Sequence, residues 1–328
     1  MVASSPLVSV VMPVYNGERF IAEAVKSVLA SELAELELLV LDDGSSDGSI
    51  AAARAASSGD ARVRIIELAH GGVAKARNAG LREARADLIA NLDADDAMFP
   101  QRLSLQVEFL RAHPECVAVG SRALVVDAEG RPTRIVGNLF SHEEIDAAHL
   151  AGRGGALGNP MATFRRGVAL SIGGYLEGLH TTGEDHDLWL RMAEVGRLAN
   201  LPEVLIRYRI HGANVSLSAA DRERRHAVTL QTLGRAFARR GLADRTPAKI
   251  PAPRPTLAER YRDDALLRFF TGDRVGAVWR ALMAGVLSPT APATRSAVRT
   301  VMRGHAPQPV HGSERRARAA GHPEHAQQ

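Results

Sequence analysis

The first hundred residues alternate between apolar runs of strand length and amphipathic runs of helix length. LVSVVMPVY (7–15) is followed by ERFIAEAVKSVLAS (18–31), in which Phe20, Ile21, Ala24, Val25, Val28 and Leu29 recur three and four positions apart. That is the period of a helix with one apolar face. LELLVLDD (36–43) precedes a short helix through Ile50, VRIIELA (63–69) precedes GVAKARNAGLREARA (72–86), and DLIANLD (87–93) closes the series. Apolar strands separated by helices predict a mostly parallel sheet flanked by helices on both faces, an α/β fold.

After residue 100 the pattern changes. A helix is expected at 100–112, strands at 116–126 and near 133–137, and a glycine-marked loop in GRGGALGNPMATFRR ahead of a short strand at 161–165. EDHDLWLRMAEVG (184–196) reads as a helix, and VLIRYRIHGANVS (204–216) opens as a strand and ends in a polar loop. Residues 218–290 are mostly helical, broken by a plausible linker, RTPAKIPAPRPT. The last residues, GHAPQPVHGSERRARAAGHPEHAQQ, hold too little apolar surface to fold. The expected domains are therefore an α/β unit at 1–217, a helical C-terminal extension at 218–303 and a disordered tail at 304–328.

Composition narrows the classes. With 328 residues, 45% of them apolar, the chain can fill a sizeable core. Lys and Arg exceed Asp and Glu by only four, so the isoelectric point of about 9.6 makes no case for nucleic acid. The single cysteine, Cys116, excludes an internal disulfide and a thiolate zinc site, and its neighbours PECVAVG read as a strand. No apolar run reaches the length of a membrane span, and MVASSPLVSVVMPVYNG lacks the charged and apolar regions of a signal peptide. A cytoplasmic protein is expected, with peripheral attachment to the inner face of the membrane left open. RFFTGDRVGAVWRALMAGVL is amphipathic enough to lie on lipid or to pack on the rest of the chain.

Ligands of such sheets sit at the carboxyl ends of the strands. There the sequence places Pro13, Tyr15 and Asn16, then Asp42 and Asp43, then Asp93, Asp95 and Asp96. Carboxylates this close repel one another, which costs stability unless a cation or hydrogen-bond donors meet them. Hard divalent cations want such oxygens, and Mg²⁺ typically takes one or two carboxylates and fills its shell with substrate phosphates. The bland reading is a set of acidic turns capping the next helices. VLDDGSSDGS adds small residues around Gly44 that would let a ligand approach the backbone.

VSVVMPVYNGERFIAEAVKSVLA, LELLVLDDGSSDGS, GGVAKARNAGLREARADLIANLDADD and GEDHDLWLRMAEVG occur in that order. Together they resemble the family-2 inverting glycosyltransferases of the GT-A fold, strongly over 7–126 and 158–216 and faintly in the C-terminal helices. The resemblance implies that Pro13, Tyr15 and Glu18 line a nucleotide pocket and that Asp43, partnered by Asp42, meets the base. Arg77 would contact the base or diphosphate, and Arg209 the diphosphate or metal. Asp93 would bond the ribose and Asp95 a bridging Mn²⁺ or Mg²⁺, with His211 against the metal or diphosphate. Asp185 would be the general base and Glu184 would orient it or the acceptor. Asp96 and His186 receive no fixed role. Implied partners are a UDP-sugar or dTDP-sugar donor and a glycan, glycolipid or small-molecule acceptor; a homodimer stays open.

Rival readings meet specific obstacles. A dinucleotide-dependent oxidoreductase needs G-x-G-x-x-G after the first strand, where MPVYNGERF stands instead. A phosphatase with D-x-D-x-[T/V] would carry it on the first strand, and here Ala97 is fifth. A nucleotidyltransferase would show a Gly-rich basic loop after strand one. A nucleotide-sugar-binding scaffold without turnover is the remaining alternative, and retention of Asp95 and Asp185 argues against it.

Overall fold

The computed structural model describes residues 5–179, 183–212, 222–242 and 255–303. The expected tail, most of the linker and the 217/218 boundary lie outside them. Strands are β1 (Val8–Val14), β2 (Leu36–Asp42), β3 (Val63–Glu67), β4 (Leu88–Asn91), β5 (Ala97–Met98), β6 (Cys116–Val126), β7 (Pro132–Val136), β8 (Thr163–Arg165) and β9 (Arg197–Arg209). Helices are α1 (Glu18–Leu29), α2 (Ser49–Ser57), α3 (Val73–Glu83), α4 (Arg102–Ala112), α5 (His142–Leu150), α6 (Arg166–Ser171), α7 (Glu184–Ala193), α8 (Arg222–Arg239), α9 (Leu257–Thr271), α10 (Arg274–Leu287) and α11 (Pro292–Arg303).

One sheet runs β3-β2-β1-β4-β8-β6-β9-β5, with β7 paired to β6. The expected parallel arrangement holds from β3 through β4. Beyond β4 the sheet is mixed, because β8 enters antiparallel between β4 and β6 while β9 returns parallel to β6. Other differences are local. The helix expected through Ile50 instead starts at Ser49, and the last strand begins at Arg197 rather than 204. Helix α5 went unanticipated although Ser141 and Glu144 form a capping box at its start.

The parallel half is a three-layer sandwich. Val10 and Met12 point to the layer of Ile21, Val25 and Val28 on α1, whereas Val11 points to Ala76 and Leu81 on α3. A Cβ on Gly80 would lie 2.6 Å from Val11 Cγ1, so glycine lets α3 settle directly on β1. Each fully buried aliphatic side chain contributes about 1.5–3 kcal/mol, enough to fix which helices cover which face. Cys116 and Trp189 are both buried in this interior, the latter edge-on to Phe164. Helix α8 packs on α7, while α9 and α11 cover β7 and β9.

Candidate active site

A cleft of about 700 Å³ opens along the carboxyl ends of β1, β2 and β4 and is closed on the far side by α7 and α8. Pro13, Tyr15, Asp43, Arg77, Asp93, Asp95, Glu184, Asp185 and His211 all line it. Glu18, Asp42 and Arg209 do not.

At the β2 end, Asp43 Oδ1 and Oδ2 accept the backbone N–H groups of Gly71 and Gly72 at 2.8 and 2.9 Å. Gly72 holds φ +90°, a value that glycine adopts without strain, and this aims both amides at one carboxylate. The half-exposed ring of Tyr15 lies 4.4 Å from that of His70, whose Nδ1 sits 3.0 Å from Asp43 Oδ2. Gly44, at φ +79°, would bring a Cβ to 3.2 Å from His70, so its own turn already requires glycine. Asp42 Oδ1 accepts from Ser45 N–H within the same turn. Glu18 Oε2 accepts from Gly48 N–H while Asp47 accepts from Glu18 N–H, a reciprocal clamp between α1 and the loop before α2.

At the centre, Arg77 bridges two carboxylates. Its Nη2 donates to Asp93 Oδ1 at 2.7 Å and its Nη1 to Glu184 Oε1 at 2.5 Å. The Asn159 carboxamide, oriented with its oxygen toward the guanidinium, lies 2.9 Å from Nη2. Burial works against the charge on Arg77, but Asp93 and Glu184 outweigh it and hold the group more firmly protonated than usual. Asp185 sits one residue into α7, its Oδ1 accepting from His186 N–H at 2.7 Å. Burial pushes its pKa up against the pull of Arg77, the direction a general base near neutrality requires. Glu184 is raised as well, by burial and by the neighbouring Asp185.

The opening between β4 and β5 carries the acidic triplet, and its members point different ways. Asp93 meets Arg77. Asp95 Oδ2 lies 3.0 Å from His211 Nε2 at the cleft wall, with its pKa raised by burial and by the charge of Asp93. Asp96 turns away from the cleft, where its Oδ1 accepts from Arg209 N–H at 2.7 Å. Burial and the two neighbouring aspartates push its pKa well up. The Arg209 side chain donates to Asp95 O, Asp127 O, Ala128 O and Glu23 Oε2, which ties β9 to α1 behind the site. Among the described residues no three His, Cys, Asp or Glu converge as metal ligands. One carboxylate opposite one imidazole suits a divalent cation that takes its remaining ligands from substrate phosphates.

The profile described as Glycosyl transferase family 2 matches residues 9–171. EpsE of Bacillus subtilis, a glycosyltransferase assigned as putative, is 35% identical over 212 residues, 63% of this chain and 74% of that protein. This chain belongs to glycosyltransferase family 2. The chondroitin synthase of Escherichia coli is 26% identical over 70% of this family-2 chain, which spans only 33% of that larger protein. The solved structure of S. aureus TarS 1–349 with UDP-GlcNAc superposes with a TM-score of 0.55 at 15% identity, covering 91% of this chain and 92% of that one. Mannosyltransferase PcManGT of Pyrobaculum calidifontis, solved with GDP-Man and Mn²⁺, gives 0.53 at 20% identity, covering 92% and 86%. The architecture is the GT-A fold of these glycosyltransferases.

Several cleft residues escaped the motifs. Asn159 is marked only by its place in GNPMATFRR, and Arg225 and Thr229 come from α8; behind the cleft, the buried Tyr175 hydroxyl accepts from Asn91 Nδ2 at 2.6 Å. His186 also lines the cleft, and its Nε2 lies 2.8 Å from the carbonyl of His149.

Proposed function

We propose that this family-2 glycosyltransferase moves a sugar from a UDP-sugar or dTDP-sugar to an acceptor hydroxyl of a glycan, glycolipid or small molecule, by one displacement with inversion at the anomeric carbon. The observation that carries the reading is convergence. Pro13, Tyr15 and Asp43, the Asp95–His211 pair, and the Glu184–Asp185 start of α7 share one cleft although they come from five separate stretches of chain. TarS with UDP-GlcNAc and PcManGT with GDP-Man and Mn²⁺ support a nucleotide-sugar donor on the same fold.

In this reading Asp43 receives the base edge and Asp93 the ribose, with Arg77 fixing Asp93 against Glu184. Asp95 and His211 would hold Mn²⁺ or Mg²⁺, which when bound supplies Lewis-acid stabilisation of the departing diphosphate. Asp185 takes the acceptor hydroxyl proton as the oxygen attacks, and Glu184 holds the acceptor side in register.

The test is donor binding and turnover with purified protein and Mn²⁺ across a panel of nucleotide sugars. Asp185→Asn is expected to lower kcat about 10²–10⁴-fold while donor affinity stays within error. Wild-type kcat should decline on the acid side as Asp185 gains its proton, with the fall placed above the ordinary aspartate range. Asp95→Ala should abolish the metal-dependent part of donor binding. If no nucleotide sugar binds and Asp95→Ala changes nothing, the proposal is wrong.

A further inference from the structure

Helix α10 presents two unlike faces. Ala277, Ala281 and Ala284 are buried against α9 and α11, its main packing partners. On the other side Val275, Trp279, Leu282 and Val286 are 84%, 52%, 52% and 77% exposed. At 100° per residue these four fall within an arc of about 60°, so they form one apolar stripe facing solvent. Scattered exposed hydrophobics are ordinary, but a contiguous stripe marks an interaction surface.

Charge says what kind. From Arg274 to Arg303 the chain carries five arginines and no Asp, Glu or Lys. Arg295 and Arg299, one turn apart on α11, are exposed together with Met302 on the same side of that helix. Arg280 pairs with Asp264 of α9 and lies over the Trp279 ring. A second copy docked about a two-fold axis would bring this arginine-rich face, whose nearby Asp264 and Asp273 are already paired with arginines, against itself, which like charges oppose. An anionic surface that accepts shallow apolar side chains meets both features.

We propose that α10 and α11 form a docking face for an anionic lipid bilayer, with Val275, Trp279, Leu282 and Val286 entering the headgroup boundary and Arg295 and Arg299 meeting lipid phosphates. No helix among the described residues is long and apolar enough to cross a membrane, so the contact lies along the surface. Trp279 is well suited to that depth, having an apolar ring and a polar N–H. The face lies on α10 and α11, which contribute no residue to the cleft, so it stands or falls separately from the transfer reaction.

The experiment uses the full chain with phosphatidylcholine vesicles, with and without phosphatidylglycerol, read by co-sedimentation and tryptophan emission. Trp189 is fully buried, so an emission change reports Trp279. Expected are binding only when the anionic lipid is present, weakening with salt, and a blue shift. Replacing both arginines (Arg295→Ala, Arg299→Ala) should weaken partition roughly thirty-fold, and Trp279→Ser should reduce it while removing the shift. Unchanged melting and unchanged hydrolysis of a soluble donor would show that the variants are folded. The proposal is overturned if the wild-type chain ignores anionic vesicles with no emission shift, or if these variants bind like wild type. It is equally overturned if sedimentation without lipid shows a dimer that Trp279→Ser dissociates.

Discussion

The two halves of the sheet are stabilised in different ways. From β3 to β4 the interior is mainly aliphatic, the buried Ser9–Glu37 pair aside: Val10, Met12, Leu38 and Val40 meet α1 and α2, and Val11, Leu39 and Leu41 meet α3. Around β6 and β8 the interior is threaded with polar groups. Gln106 is fully buried, accepts from Arg102 Nε and Thr163 Oγ1, and donates to Met161 O. Arg102 donates to Asn91 O and Ala162 O, and burial lowers its pKa to about 9. An aliphatic core tolerates rearrangement if volume is kept, whereas a hydrogen-bonded one has few solutions and leaves unpaired groups when broken. The cleft lies on the seam, with Tyr15 and Asp43 on the adaptable half and Glu184 and Asp185 on the over-determined one. Arg77, mounted on α3 of the first half, crosses to Glu184 of the second.

The sharpest way to break this comparison is at that crossing. Arg77→Met keeps the volume but strands Asp93 and Glu184 without their shared cation. Removing one partner of a buried pair costs about 3–5 kcal/mol. Chemical denaturation of the wild type and Arg77→Met would measure it. A cost below about 1 kcal/mol would mean that the halves are not tied through this residue.

A matched pair of substitutions then tests each half separately. Gln106→Met leaves Arg102 Nε, Thr163 Oγ1 and Met161 O without their partner, at about 1–3 kcal/mol for each group that water cannot reach. Leu38→Met, in the aliphatic half, conserves volume and should cost under about 1.5 kcal/mol. The same residue type is introduced at two fully buried positions, so the difference between the two measured losses reads the chemistry of the core. Equal losses would erase the contrast.

The same difference explains what the sequence made legible. Strands β1, β2 and β4 announce themselves by apolar runs, and β6 was placed at 116–126 as observed because CVAVG and ALVV are apolar on either side of Ser121 and Arg122. The beginning of β9 was missed because RLANLPEV carries Arg197, Asn200 and Glu203 and interrupts its pairing with β6 by register shifts. Cleft residues carried by strand ends were visible as motifs, whereas Asn159, Arg225 and Thr229 reach the cleft only through tertiary packing. Motifs also could not separate cleft-facing groups from those behind them. Glu18, Asp42, Asp96 and Arg209 belong to the same short stretches as their neighbours, yet each is engaged in holding a loop or strand. A one-residue step along an extended segment reverses which side a group faces, and residue type does not record it.

The smallest expected effect concerns a polar pair on the over-determined half. His149 and His186 lie with ring centroids 5.4 Å apart, and Leu157 N–H donates to His149 Nε2. Burial, then the neighbouring His186, drives the pKa of His149 well below its ordinary 6.5, and burial lowers His186 too. A folded-state pKa below the unfolded one means that the unfolded chain binds more protons in the window between them. Stability from these rings is therefore complete above about pH 6.5 and is lost as pH falls below it, by at most about 1.4 kcal/mol per pH unit for each ring. The raised carboxyls of Asp185 and Glu184 act in the opposite sense, since they gain protons on folding, so the wild-type slope alone is a balance. His149→Gln isolates the ring, because Gln can still accept from Leu157 N–H but does not titrate. Urea unfolding at about pH 7.5 and about pH 5.5 should show a smaller acid-side loss in His149→Gln than in wild type, by about 1 kcal/mol. Equal losses in the two proteins would place the buried imidazole's proton elsewhere and remove the polar pair from the account of the second half.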